Sequence, residues 1–155
     1  MGRWSNRSTV EDCRSISNKW LKKYGYFVGH VPGGMSWKDG GSISFIVSTL
    51  NGYGYIHFQY TQTDRYSNEE IEIDYKAQLV WTPCNYGGRR WWFICPLGCN
   101  RRVGVLYKNR KYFGCRHCLN LTYTSCNQSH SFDRLLRSLR IDPRIGSKAI
   151  RMMFS

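Results

Sequence analysis

Apolar residues first recur at helical spacing. Val10, Cys13, Ile16, Trp20, Leu21 and Tyr24 make one stripe, preceded by Ser8-Thr9-Val10-Glu11, the form of a capping box. The pattern predicts a helix from Thr9 to Tyr24, with Lys22 and Lys23 at its negative end and Gly25 as its stop. A Pro/Gly-rich loop is expected over 30–41, and beyond it the period changes to two. Ser42–Leu50 and Tyr53–Thr61 read as strands joined by Asn51-Gly52, a pair suited to the positive φ angles of a tight hairpin. A third strand is expected from Glu70 to Trp81. Ile71, Ile73, Tyr75, Ala77, Leu79 and Trp81 fall on one face; Glu70, Glu72, Asp74, Lys76 and Gln78 fall on the other. Together these elements predict an α+β front, a helix on a small antiparallel meander.

The second half opens on a turn-rich stretch, 82–90. Short strands are expected at 91–95, 102–107, 111–114 and 119–124. A short amphipathic helix is expected from Ser131 to Ile141, with Phe132, Leu135, Leu136 and Leu139 on its apolar side. Within this half, Cys95-Pro-Leu-Gly-Cys99 and Cys115-Arg-His-Cys118 are separated by fifteen residues. Two close cysteine pairs at a hairpin's distance are the layout of a four-thiolate zinc ribbon. Each tight turn brings two thiolates to one ion, and the hairpin brings the turns together. Cys95, Cys99, Cys115 and Cys118 are therefore the expected ligands of one structural zinc. His117 is expected to be exposed, Cys13 to lie on the helix's apolar stripe, and Cys84 or Cys126 to be the substitute if Cys99 is not a ligand. The organisation expected is 1–82 as an α+β lobe, 83–128 as the ribbon and 129–155 as a basic helix and tail.

The stretch from Gly87 to Ser125 resembles a family of small uncharacterised zinc-ribbon proteins of bacteria and their mobile elements. The resemblance rests on Trp92, Phe93, Cys95 and Pro96, then Cys99, Arg101, Arg102 and Val103, then Leu106 and Tyr107. It continues with Phe113, Cys115, Arg116 and Cys118, and ends with Leu121, Tyr123 and Ser125. It implies a zinc-ribbon fold. The three residues inside the first cysteine pair depart from the family pattern. That family carries no established activity, so the resemblance implies no chemistry.

Charge adds what the pattern lacks. The 155 residues carry 23 Lys/Arg and 10 Asp/Glu, a formal net charge of +13. Residues 1–80 hold nine of the basic and eight of the acidic groups, whereas residues 81–155 hold fourteen basic groups against Asp133 and Asp142. Solubility does not require that asymmetry, and a polyanion surface does. The candidates for nucleic-acid contact are Arg89, Arg90, Trp91, Arg101, Arg102, Lys108, Arg110, Lys111 and Arg116, with Arg134 and Arg137 on the last helix. Cations attract phosphate and an exposed aromatic stacks on a base, DNA and RNA alike. Of Trp91 and Trp92, one is expected in the core, because neighbours on a strand face opposite ways.

The expected function is nucleic-acid binding by a basic zinc-ribbon protein. The alternative is a protein-interaction subunit or inhibitor from a mobile element, docking on a nucleoprotein or host defence complex. No nucleotide-binding loop, nucleophile elbow or zinc-protease motif occurs, so no enzyme is expected. A third reading, a magnesium-dependent nuclease, would use Glu70, Glu72, Asp74 and Lys76. No apolar run approaches the ~18 residues of a membrane helix, and the expected location is the cytoplasm, with no membrane partner.

Overall fold

In the computed structural model, which describes residues 7–64 and 66–127, the first regular element is a strand, β1 (Arg14–Ser17). It runs straight into a six-residue helix, α1 (Asn18–Lys23). The helix expected over Thr9–Tyr24 is therefore replaced by a strand and a single short helix. Ser15, Ile16 and Ser17 are poor helix formers, since serine competes for backbone hydrogen bonds and isoleucine is stiff at χ1. The cap is Ser17, whose side chain accepts from the Trp20 N–H at 3.2 Å, and Thr9 instead donates its hydroxyl to Asp12. Ile16 and Leu21 are both fully buried, so the apolar stripe did mark core positions, reached by a strand and then a helix.

Five strands then follow: β2 (His30–Ser36), β3 (Ser42–Ser48), β4 (Gly54–Thr63), β5 (Glu70–Pro83) and β6 (Arg89–Ile94). With β7 (Arg102–Val103) they form an antiparallel six-stranded sheet in chain order, β2 to β7. β2 occupies the stretch expected to be a loop. Its Pro32 is tolerated because β2 is an edge strand and needs no second ladder. Asn51 and Gly52 take φ of 55° and 76° in the β3–β4 connection, the conformation that an Asn-Gly pair supplies. The remaining strands, β8 (Val105–Lys108) and β9 (Phe113–Gly114), join β1 in a second antiparallel sheet of order β1-β8-β9. Among the described residues the fold is therefore mostly β, with two antiparallel sheets and only very short helices, and the α+β class is overturned. Chain pairing continues across residue 82, since β5 and β6 are hydrogen-bonded neighbours.

Alternation places the core. On β5 the odd residues Ile73, Ala77 and Leu79 are buried while Glu70, Glu72, Asp74, Lys76 and Gln78 are exposed. Phe45, Val47, Ile56, Phe58 and Phe93 extend that inner face across the large sheet, and Ile16, Leu106 and Phe113 meet it from the small one. Phe113 stacks on Phe58 with centroids 4.9 Å apart and planes 8° from parallel. Its backbone N–H donates to Tyr75 Oη at 2.9 Å, so β9 is pinned to the large sheet twice. Burial raises the Tyr75 phenol and pushes that of Tyr60 up to about 12, so both stay protonated; Tyr60 donates to the Lys111 carbonyl at 2.6 Å. Gly54 is required by close approach. A Cβ there would lie 2.6 Å from the Trp91 ring and 2.7 Å from Leu79 Cβ.

Residues 7–122 form one compact unit. The strand expected at 119–124 is absent, and only Thr122 makes a ladder contact, a parallel bridge to Thr9. One helical turn, α2 (Thr124–Asn127), lies outside that unit. The helix expected at Ser131–Ile141, with Arg134 and Arg137, lies outside the described residues. Among the described residues no helix is long and apolar enough to cross a membrane.

Candidate metal centre and basic surface

Two tight turns carry the four cysteines. The β6–β7 connection holds Cys95 and Cys99, closed by a Cys95 N–H to Arg101 carbonyl bond of 3.0 Å and turned by positive φ at Gly98 and Asn100. Cys115 and Cys118 follow β9, in a turn closed by Leu119 N–H to the Cys115 carbonyl at 3.1 Å and by Leu121 N–H to the Arg116 carbonyl at 2.9 Å. Asn120 completes it at a φ of 50°. Leu97 of the first turn packs over Gly114, where an added Cβ would meet its side chain at 2.2 Å. That contact seats one turn on the other.

The result is a cluster in which all four sulfurs lie within 4.8 Å of one another. Cys95 and Cys118 Sγ are 3.9 Å apart, and Cys99 and Cys115 Sγ are 3.6 Å apart. Metal–sulfur bonds of about 2.3 Å in a tetrahedron separate the sulfurs by ~3.8 Å, close to the two distances above, so the donor set could hold one ion. Cys95 and Cys115 are buried and Cys99 and Cys118 exposed. Backbone N–H groups already serve the sulfurs: Cys115 N–H donates to Cys95 Sγ at 3.3 Å, and Cys118 N–H to Cys115 Sγ at 3.4 Å. The Arg101 N–H lowers the Cys99 thiol to about 7, burial raises that of Cys95, and the hydrogen bond with Cys99 pushes Cys118 up to about 12. Four thiolates close the coordination sphere, so such an ion holds structure and leaves no open position for a substrate.

Among the described residues, these four cysteines are the one group of three or more ligand side chains gathered closely enough to share an ion. Cys84 and Cys126 are not members of it. Cys13 donates to the Thr9 carbonyl at 3.2 Å, half-buried in the turn before β1. His117 is exposed, and neighbouring Arg101 and Arg116 lower its pKa. On the outer face of β5, Asp74 pairs with His57 Nε2 and accepts from Gln59 at 3.3 Å, which lowers its carboxyl pKa. Lys76 lies 4.9 Å over the Tyr55 ring. Glu70, Glu72 and Asp74 are not brought together as a metal group.

The expected contact residues separate by environment. Arg89, Arg90, Arg101, Arg102, Arg110 and Lys111 are exposed. Lys108 is half-buried, donates to Gln62 Oε1 at 2.9 Å and lies over Tyr60; its burial lowers its pKa. Arg116 is half-buried and has partners of its own. Trp91 is only 7% exposed and stacks on Phe27 at 5.9 Å, so its ring is packing. Trp92 faces the other way, donating its indole N–H to Thr82 at 2.9 Å, with the guanidinium groups of Arg90 and Arg102 over its ring at 5.2 and 5.8 Å. Arg89 covers Trp81 at 4.5 Å.

Reasoning from the chain alone missed three further cations, Lys19, Lys22 and Lys23 of α1. They line a groove of about 1360 Å³ together with Arg89 and Arg90 of β6. Among the described residues, no acidic one is part of that lining. Comparison with protein-family models, with curated proteins and with solved structures finds no match.

Proposed function

We propose that this chain is a zinc-ribbon protein that binds nucleic acid through the arginine- and tryptophan-bearing surface of β5, β6 and β7. The observation that carries the reading is Trp92 with Arg90 and Arg102 over its ring, on the strand that enters the first cysteine turn. Paired guanidinium and indole groups offer a strand both charge and a stacking face. Zinc suits a tetrahedral set of four sulfurs and would be held by Cys95, Cys99, Cys115 and Cys118. The resemblance to the small bacterial zinc-ribbon family bears on the metal part of the reading alone: Trp92, Cys95, Arg102, Phe113, Cys115 and Cys118 build the two turns and the strands beside them.

The cluster's own charge sorts the arginines. A divalent ion on four thiolates leaves two negative charges, which nearby cations offset. Arg101 and Arg116, next to the cysteine turns, serve that charge. Arg89, Arg90 and Arg102, over tryptophans, serve phosphate. The test is fluorescence anisotropy of the metal-loaded protein with labelled oligonucleotides across a salt series. Arg90→Ala with Arg102→Ala is expected to lower the log–log salt slope for single strands by about 1.4, two phosphate contacts' worth. A metal-loaded wild-type protein that binds neither single nor double strands at low salt would overturn the reading.

A further inference from the structure

The groove lined by α1 and the β5–β6 hairpin brings together charges that lie far apart in the chain. Lys19, Lys22 and Lys23 come from the helix, Arg89 and Arg90 from the strand. Among the described residues, the ion pairs are Arg14–Asp39 and His57–Asp74, and neither involves a groove cation. Five cations around a concavity with no carboxylate among its described lining residues repel one another, and an entering polyanion relieves that repulsion. Tyr86 adds an aromatic at the hairpin turn. Its side chain is fully exposed, and the turn is held by Cys84 N–H to the Gly88 carbonyl and Gly87 N–H to the Cys84 carbonyl, each at 3.1 Å. Gly87 and Gly88, at φ of 86° and 87°, allow that tight course. An aromatic presented this way costs little entropy to use, because its backbone is already fixed.

We propose that this groove holds a single-stranded nucleic acid, with phosphates on Lys19, Lys22, Lys23, Arg89 and Arg90 and a base stacked on Tyr86. The inference rests on the nucleic-acid reading and gives it a place and a substrate class. A single strand is favoured over a duplex because a stacking aromatic needs an unpaired base face, which a duplex keeps inside its stack. Five phosphate contacts to a single strand correspond to a salt slope of about 3.5.

Two variants of equal net charge test it. Lys19→Gln/Lys22→Gln/Lys23→Gln removes the helix side of the groove. Arg7→Gln/Lys38→Gln/Lys76→Gln removes three cations that do not line it. With a labelled oligothymidylate, the groove variant is expected to lose about 2 from the salt slope and about a hundredfold in affinity at 0.1 M salt, and the other variant to stay within a factor of about three. Tyr86→Ala is expected to weaken the single strand by about fivefold or more and leave a duplex unaffected. Equal losses in the two triple variants would overturn the groove while leaving nucleic-acid binding standing, as would loss only in Arg90→Ala/Arg102→Ala. Absence of binding by the wild-type protein would remove both readings together.

Discussion

Stripping the metal with a strong chelator is expected to melt the β1-β8-β9 sheet and both cysteine turns. Structural zinc contributes an apparent ~10–16 kcal/mol in small metal-folded peptides, against a typical net stability of about 5–15 kcal/mol for a whole domain. The small sheet has little to offset that loss, since β9 spans only Phe113–Gly114 and β8 only Val105–Lys108. The six-stranded sheet loses the cover of Ile16, Leu106 and Phe113 but keeps its own ladders and the contacts among Phe45, Val47, Ile56 and Phe58. Hydrogen exchange checks the expectation residue by residue. Protection at Leu106 and Cys115 is expected to collapse in chelator, while Val47 and Phe58 retain most of theirs. Unchanged protection at Cys115 would mean that the turns hold without an ion.

Phe113→Ala is expected to destabilise the metal-loaded protein by about 3–5 kcal/mol, the range for removing a buried phenyl ring. Phe113 is fully buried and touches aromatics of the large sheet on several sides, stacked on Phe58 and edge-on to Tyr60 at 6.1 Å. The ring sits two residues before Cys115, so the cavity also loosens the second cysteine turn. A lower urea midpoint and a weaker metal affinity should therefore appear together. A midpoint shift worth less than about 1 kcal/mol would show that the two sheets do not depend on this ring.

Much of the large sheet was legible in alternation. The alternation of the strand at 70–81 is found as expected through Leu79, because a side-chain period of two leaves no other way to bury Ile73, Ala77 and Leu79 together, while Trp81 at its end is exposed. Asn51-Gly52 marked its turn through backbone stereochemistry alone. The cysteine group was legible for a similar reason: ligand spacing is a local constraint, and the sulfurs of all four expected residues do converge.

Where the reading failed, a distant partner decided. The stripe from Val10 to Tyr24 fits a helix by spacing, but Arg14–Ser17 pairs with Val105–Lys108, some ninety residues on, and Ser17 rather than Ser8 caps what helix remains. The alternation of Val31, Gly33 and Met35 was the available sign of β2, hidden by Pro32 and the glycines that an edge strand accepts. Gly33 is there because Tyr26 lies across it, 2.3 Å from where a Cβ would stand. The lysines of α1 escaped notice for an electrostatic reason. They belong to a stretch whose summed charge nearly cancels, and only folding sets them beside Arg89 and Arg90, away from the acids that balance them in the count.

X-ray absorption at the zinc edge, with metal quantitation on the purified protein, tests the centre of this structure most directly. One zinc per chain with four sulfur neighbours at about 2.3 Å is the expected result. A folded protein without metal, or an ion bound through nitrogen or oxygen in place of Cys95, Cys99, Cys115 or Cys118, would contradict it.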